Sequence, residues 1–121
     1  MIFQKKFNSI IRNEITFIVE EKLNNMSLMF NNCSSLKEIH FINFETTQVT
    51  NMRAIFQECN EIENLDLSNF NTSNVTDMGW MFNQCHKLKY LNIKNFYIKK
   101  ECETNMMFNM INPNCEIIKN K

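Results

Sequence analysis

The sequence contains very little glycine or proline and carries no net charge. Its 121 residues include one glycine, Gly79, and one proline, Pro113. A single glycine excludes a glycine-rich loop of the kind that cradles phosphate groups. Thirteen basic residues balance thirteen acidic residues, so no overall field would draw the chain to nucleic acid or to an anionic membrane. We therefore expect its partners to include no nucleic acid, and we expect no membrane insertion.

Long apolar runs and catalytic motifs are missing as well. No stretch approaches the roughly 18 apolar residues of a membrane span. Arg12, Asn13 and Glu14 interrupt the apolar core that a signal peptide would need, so we expect the chain as written to carry neither an export signal nor an anchor. There is no paired-histidine metal motif and no serine or cysteine nucleophile beside an ordered base. We expect no enzyme activity, no catalytic residue, no metal and no cofactor.

The sequence does have a gapless spacing of 26 residues between similar side chains. The recurring sets are Phe30, Phe56, Phe82 and Phe108; Cys33, Cys59 and Cys85; Leu36, Ile62 and Leu88; Ile39, Leu65 and Leu91; and Phe44, Phe70 and Phe96. A fixed period of this length is typical of stacked repeat proteins. It divides the chain into an N-terminal cap (1–22), three units (23–48, 49–74 and 75–100), and a degenerate fourth unit with a C-terminal cap (101–121).

Each unit combines two hydrophobic patterns. Its first part is rich in methionine, and in the second unit Met52, Phe56 and Cys59 have the spacing of one stripe on a helix. Its second part alternates, as at Ile39 and Phe41, which suits a short strand. The pattern predicts an α/β repeat fold: a solenoid with one short helix and one short parallel strand per unit.

The predicted caps close this solenoid at both ends. We expect the segment ITFIV at 15–19 to pair as an edge strand. Pro113 is expected to end the last helix near Asn112, because the residue before a proline disfavours helical geometry.

The segment NLDLSNFNTSNVTDMGWMFNQCHKL, from Asn64 to Leu88, resembles the repeat of the BspA-like leucine-rich repeat family. This family is also described as a domain of unknown function common in bacterial and protist surface proteins. The resemblance implies a curved, right-handed, leucine-rich-repeat-like solenoid. It also implies a location at the cell surface and adhesion to host or matrix proteins, with no catalytic residues.

The outward side chains of the predicted strands form polar columns across the units. Solenoids present such columns as broad platforms for protein or glycan ligands. The candidate ligand-binding residues are Glu38, His40, Asn64, Asp66, Tyr90, Asn92 and Lys94.

A second candidate surface lies on the predicted helices, on the side that faces away from the core. One position per unit lies about 200° from the core-facing methionine, at 100° per residue, and it is occupied by Leu28, Ala54, Trp80 and Met106. Large apolar side chains in register on an outward face mark contact sites, so Leu28, Trp80 and Met106 form a candidate contact strip.

The cysteines and methionines are expected to belong mostly to the core. Three cysteines repeat at one position of the unit, with no short cysteine pair of the kind found in zinc knuckles, so we interpret Cys33, Cys59 and Cys85 as core residues. A disulfide between Cys102 and Cys115 is left open by the sequence.

These observations predict a non-enzymatic protein-interaction module used for surface recognition or adhesion. The alternative is a structural segment of a larger repeat array that self-associates end to end. The charge distribution motivates this alternative. Acidic residues predominate in residues 49–74, whereas residues 75–100 contain five lysines and only one aspartate.

Overall fold

The computed structural model describes residues 6–11, 14–18, 22–42 and 44–120, which contain one six-stranded sheet and no helix. The strands are β1 Lys6–Ile11, β2 Glu14–Ile18, β3 Glu38–Ile42, β4 Asn64–Asp66, β5 Tyr90–Ile93 and β6 Glu116–Lys119. They neighbour one another in chain order. β1 and β2 are antiparallel, whereas β2 to β6 run parallel. The predicted parallel strands are therefore present.

The register of β3 to β6 follows the 26-residue period. Glu38 lies opposite Asn64, which lies opposite Tyr90, which in turn lies opposite Glu116. The inward apolar positions of successive units therefore meet in the same layer, as Leu65 and Leu91 do.

The strand predicted near the N-terminus is present, but it is not the edge of the sheet. β2 pairs with β3 on one side and with β1 on the other, and β1 turns back on it in antiparallel fashion. Since a strand that pairs on both sides cannot be an edge, this part of the prediction is wrong.

The prediction of one helix per unit is also wrong. Residues 24–33, 50–59, 76–85 and 102–111, which we call the turn segments, form successive turns. In a helix each backbone N–H donates to the carbonyl four residues earlier. Here the N–H groups of Met26 and Leu28 donate instead to the carbonyls of Asn51 and Arg53 in the next unit, each at 2.9 Å. Pro113 follows the last of these segments and ends no helix.

Left-handed backbone conformations keep the turn segments from becoming helical. Two non-glycine residues per segment have positive φ, between 56° and 64°. They are Leu28, Asn32, Ala54, Glu58, Trp80, Gln84, Met106 and Met110. Several of them are the third residue of a hydrogen-bonded turn, for example Leu28 in the turn closed by the Met29 N–H and the Met26 carbonyl. Positive φ at this position is the mark of a type II turn, and it is incompatible with a right-handed helix.

The core lies between the sheet and the turn segments. Its central feature is a column of stacked rings, with centroid separations of 5.6 Å for Phe30 and Phe56, 6.0 Å for Phe56 and Phe82, and 5.7 Å for Phe82 and Phe108. Phe41 of β3 meets the Phe30 ring edge-on at 6.1 Å. The methionines Met26, Met52, Met78 and Met81 are fully buried around this column.

No helix long and apolar enough to cross a bilayer occurs in the part of the chain described by the structure.

Candidate functional site

The strand face comprises the outward residues of β3, β4 and β5 together with Lys94, which follows β5. It contains the seven predicted binding residues Glu38, His40, Asn64, Asp66, Tyr90, Asn92 and Lys94. The sheet register places Glu38, Asn64 and Tyr90 in one row, and Asp66 beside Asn92. Four of the seven are exposed: His40, Asn64, Asp66 and Lys94.

Asn92 does not belong to the accessible part of this surface. It is only 8% exposed, and its side-chain oxygen accepts a hydrogen bond from the Lys94 N–H at 3.1 Å. Asp66 makes the same contact with the Ser68 N–H at 3.0 Å but stays exposed. Both side chains stabilise the backbone turn that follows their strand. Because Asn92 is also buried, the prediction that it is an accessible contact residue is wrong.

The strand face contains a groove where β3 and β4 move apart. Within the described ranges, these two strands are aligned at Glu38 and Asn64 and at no further pair. Beyond that pair a cavity of about 400 Å³ opens. It is lined by Ile39, His40, Phe41, Ile42, Asp66 and Asn69. The structure thus brings together two of the predicted residues, His40 and Asp66, on one groove.

Phe41 gives a physical reason for this separation. Its ring packs against Phe44 and Phe70 at centroid distances of 4.9 and 5.0 Å. The equivalent positions of the next two units carry Leu67 and Ile93, which are smaller. β4 meanwhile stays with β5, because the Leu67 N–H donates to the Asn92 carbonyl at 2.9 Å.

An adjoining cavity of about 440 Å³ shares Phe41 and Asn69 with this groove and is completed by Phe44 and Glu45. Phe41 and Asn69 were not among the site residues predicted from the sequence. The available signal was the aromatic residue at position 41, where the other two units have aliphatic residues.

Ionisable side chains on and beside the strand face lie in pairs. His40 Nε2 lies 3.7 Å from Glu38 Oε1, and Lys89 Nζ lies 2.6 Å from Glu63 Oε1 in the preceding unit. A hydrogen bond and the positive charge of Lys89 lower the pKa of Glu63 below its ordinary value. Exposed pairs of this kind contribute little to stability, so their main effect is on the charge pattern that a partner meets.

The predicted contact strip lies on turns rather than on helices, and it is interrupted. Leu28 is 57% exposed and Met106 45%, and Trp80 is partly exposed, whereas Ala54 is buried. Leu28, Ala54 and Trp80 line a shallow groove of about 370 Å³ whose rim includes Arg53.

Gly79 makes room for the Arg53 side chain beside this strip. A Cβ atom on Gly79 would lie 2.7 Å from Arg53 Nη1, so any larger residue here would make the Arg53 side chain shift. Arg53 Nη1 can therefore approach Asp77 Oδ1 to 3.5 Å.

Two of the three repeating cysteines, Cys59 and Cys85, lie in the core as predicted, whereas Cys33 is partly buried against it. Cys59 and Cys85 are fully buried, and their thiols contact the carbonyls of Phe30 and Phe56 at 3.1 and 3.3 Å. Burial raises the pKa of Cys85 to about 12 and also raises that of Cys59. Because the thiolate is the reactive form, these thiols are protected from chemistry at neutral pH.

The described residues contain no metal cluster and no disulfide between Cys102 and Cys115. Partial burial raises the pKa of both thiols. No group of three or more histidine, cysteine, aspartate or glutamate side chains in the described ranges could hold a metal ion.

A model of the family described as "Mycoplasma protein of unknown function, DUF285" matches residues 1–120. Comparisons with curated proteins and with solved structures gave no match.

Proposed function

The chain belongs to the DUF285 family, and from this premise we propose that it is a non-enzymatic protein-interaction module. In this proposal the units form a right-handed solenoid of the BspA-like leucine-rich repeat type, and the strand face serves surface recognition or adhesion. The in-register parallel strands support it, because they repeat one contact surface at a constant step.

The groove between β3 and β4 is the observation that carries the proposal. Its rim offers hydrogen-bonding groups on His40, Asp66 and Asn69, while Phe41 and Ile42 supply apolar surface. Ile42 is 42% exposed although it is a large aliphatic residue. A groove that combines apolar surface with hydrogen-bonding groups is an arrangement that can accept an anchoring side chain of a protein partner.

The test pairs a binding screen with a matched substitution. The full chain is immobilised and exposed to a panel of purified cell-surface and matrix proteins, and each binder is then titrated by surface plasmon resonance. The double variant His40→Ala, Asp66→Asn should weaken binding by about tenfold or more, since central groove residues dominate binding energy. Asparagine keeps the acceptor that Asp66 offers to Ser68.

The control variant His86→Ala, Glu101→Gln removes the same two kinds of group at exposed positions outside the groove. It should change affinity by less than about twofold. Equal weakening by both variants, or binders unaffected by the groove variant, would contradict recognition through the strand face. A panel without any binder would contradict the surface-recognition function itself.

End-to-end self-association, the alternative function, receives less support. A head-to-tail contact needs an open core at both ends of the molecule. In the first unit Leu23, Met26 and Phe30 are at most 5% exposed, so the core at that end is already covered.

A further inference from the structure

The groove on the turn segments has a lining that the proposed function does not use. It is the shallow groove of about 370 Å³ described above, and we call it the turn groove. Its lining includes Leu28, Arg53, Ala54, Gln57 and Trp80, and it shares no residue with the groove between β3 and β4. Its volume lies at the lower end of the range for small-molecule sites.

The turn groove exists because Ala54 interrupts a row of large apolar side chains. The equivalent positions of the neighbouring units carry Leu28 and Trp80. The three residues lie in successive layers, since the Leu28 N–H donates to the Arg53 carbonyl and the Ala54 N–H to the Gly79 carbonyl, each at 2.9 Å. Paired backbones are spaced by about 4.8 Å, so the backbones at Leu28 and Trp80 lie about 10 Å apart. The small side chain of Ala54 therefore leaves a slot with two apolar walls.

The polar side chains at the slot can both donate and accept hydrogen bonds. Gln57 contributes an amide, which does both, and Arg53 contributes a guanidinium with donors only. The Arg53 side chain is 44% exposed. Beside it Asp77 adds acceptor oxygens, with Oδ1 3.5 Å from Arg53 Nη1 and its side chain 27% exposed.

The pairing of Arg53 with Asp77 restricts the kind of ligand that suits this groove. A carboxylate or phosphate drawn to Arg53 would be repelled by Asp77, so the charges favour a neutral ligand. A purely apolar side chain would suit the walls but would leave the polar groups without partners. A sugar ring satisfies both requirements, because its C–H groups are apolar and each hydroxyl donates and accepts hydrogen bonds.

We propose that the turn groove binds a neutral saccharide. One sugar ring occupies the slot over Ala54, with its C–H groups between Leu28 and Trp80. Its hydroxyls exchange hydrogen bonds with Arg53 and Gln57. This site is separate from the strand face and does not depend on the function proposed for that face.

Trp80 provides the measurement, because it is the only tryptophan of the chain and lines the groove. The full chain is titrated with five neutral trisaccharides: maltotriose, cellotriose, mannotriose, galactotriose and chitotriose. At least one should change the Trp80 emission in a saturable manner, with a Kd of about 0.1–10 mM. Trigalacturonic acid, which is anionic, should bind at least about tenfold more weakly than that trisaccharide.

Ala54→Leu tests the slot by giving the second unit the residue that the first unit has. Leu28 has φ of 62° and Ala54 of 56°, so the backbone conformation accepts leucine. The added side chain fills the slot, and saccharide affinity should fall by about tenfold or more. The strand-face variant His40→Ala, Asp66→Asn is the control and should keep affinity within about twofold.

Gln57→Ala tests the hydrogen-bonding part of the site and keeps the experiment decisive if Ala54→Leu fails to fold. It should weaken saccharide binding by about three- to tenfold, as expected for the loss of one hydrogen bond. The matched control Gln48→Ala removes an exposed glutamine outside the groove and should change affinity by less than about twofold. Circular dichroism checks that each variant is folded.

Four results would overturn the proposal. They are no saturable change with any neutral trisaccharide up to about 50 mM, preferential binding of trigalacturonic acid, unchanged affinity in folded Ala54→Leu, and equal effects of Gln57→Ala and Gln48→Ala. If no trisaccharide bound and Ala54→Leu abolished binding of a protein from the panel described above, the turn groove would be a protein site and the saccharide assignment would be wrong.

Discussion

Thr46 and Thr72 show how a single buried hydroxyl joins two units of this molecule. Each is 1% exposed. The Thr72 hydroxyl donates to the Tyr97 carbonyl at 2.9 Å and accepts from the Tyr97 N–H at 2.8 Å. Thr46 makes the same two bonds with Asn71. The next position in this column is Ile98, which has no hydroxyl, so the linkage ends there.

Replacing Thr72 with valine should destabilise the protein by about 1–3 kcal/mol, because the Tyr97 N–H and carbonyl would lose their partner while the methyl groups keep the volume. Urea unfolding followed by circular dichroism measures this change. Thr76→Val is the control. The Thr76 hydroxyl also bonds across units, to the Thr50 carbonyl at 3.1 Å, but it is exposed, so water can replace it. Thr76→Val should lower the free energy of unfolding by less than about 0.5 kcal/mol. Equal losses for Thr72→Val and Thr76→Val would contradict the role of burial.

At the scale of the element, the turn segments explain why the helix prediction failed. The spacing of Met52, Phe56 and Cys59 predicted a helical stripe, and all three side chains are indeed buried. Consecutive turns bring residues three and four apart to one side, as a helix does. The apolar pattern is therefore shared by the two structures, and only the hydrogen-bond partners distinguish them. Those partners lie 25 residues away in sequence, for example Asn51 for Met26.

The positive φ angles were also hidden from sequence analysis. Asparagine tolerates this conformation, so Asn32 was a weak signal, but Leu28, Trp80 and Met106 have no such preference. The neighbouring units impose the conformation, since it directs alternate N–H groups toward the next unit.

Glycine should therefore stabilise a turn segment where φ is positive. Glu58 has φ of 62° and only part of its side chain is covered. Glu58→Gly removes a strain of about 1–2 kcal/mol but adds an entropic cost of about 0.5–1 kcal/mol. A net gain of up to about 1.5 kcal/mol in the free energy of unfolding is expected in urea unfolding.

The adjacent residue supplies the control for this prediction. Gln57 is covered to a similar degree, and its φ is not positive. Gln57→Gly should lower the free energy of unfolding by about 0.5–1 kcal/mol, because only the entropic cost applies. If both glycine variants lost stability alike, the backbone strain at Glu58 would be excluded as a significant contribution.

At the scale of the whole molecule, the ring column connects all four units. Phe56 packs on both Phe30 and Phe82, whereas Phe108 packs on Phe82 at the end of the column. Removing a central ring therefore disrupts two junctions, and removing the last ring disrupts one. Because each unit gains most of its stability from its neighbours, damage at the centre should affect the entire molecule.

Phe56→Ala should lower the free energy of unfolding by about 3–5 kcal/mol, as expected for a fully buried phenylalanine. Phe108→Ala should cost less than about 2 kcal/mol, because its ring is already partly in water. Native-state hydrogen exchange distinguishes the two: the first change should accelerate exchange of protected amides in all units, and the second only in residues 76–121. Similar exchange patterns for both variants would show that the column does not couple the units.

The amino-acid sequence alone determined the 26-residue step, the parallel strands and most of the core. Their physical basis is the repeat itself, since each apolar side chain packs against one of its own kind at the same height in the next layer. Phe30, Phe56 and Phe82 meet this requirement and stack as the spacing predicted. The exposure of His40 and Asp66 followed from the same alternation.

Tertiary structure decided the path between the strands and the groove. The backbone of a turn segment adopts its conformation because the next unit accepts its hydrogen bonds, which no local propensity encodes. The groove exists because β4 stays with β5 while Phe41 holds β3 apart, and this depends on side-chain volumes in three units at once. Asn92 became buried although the alternation of the strand predicted it to be exposed.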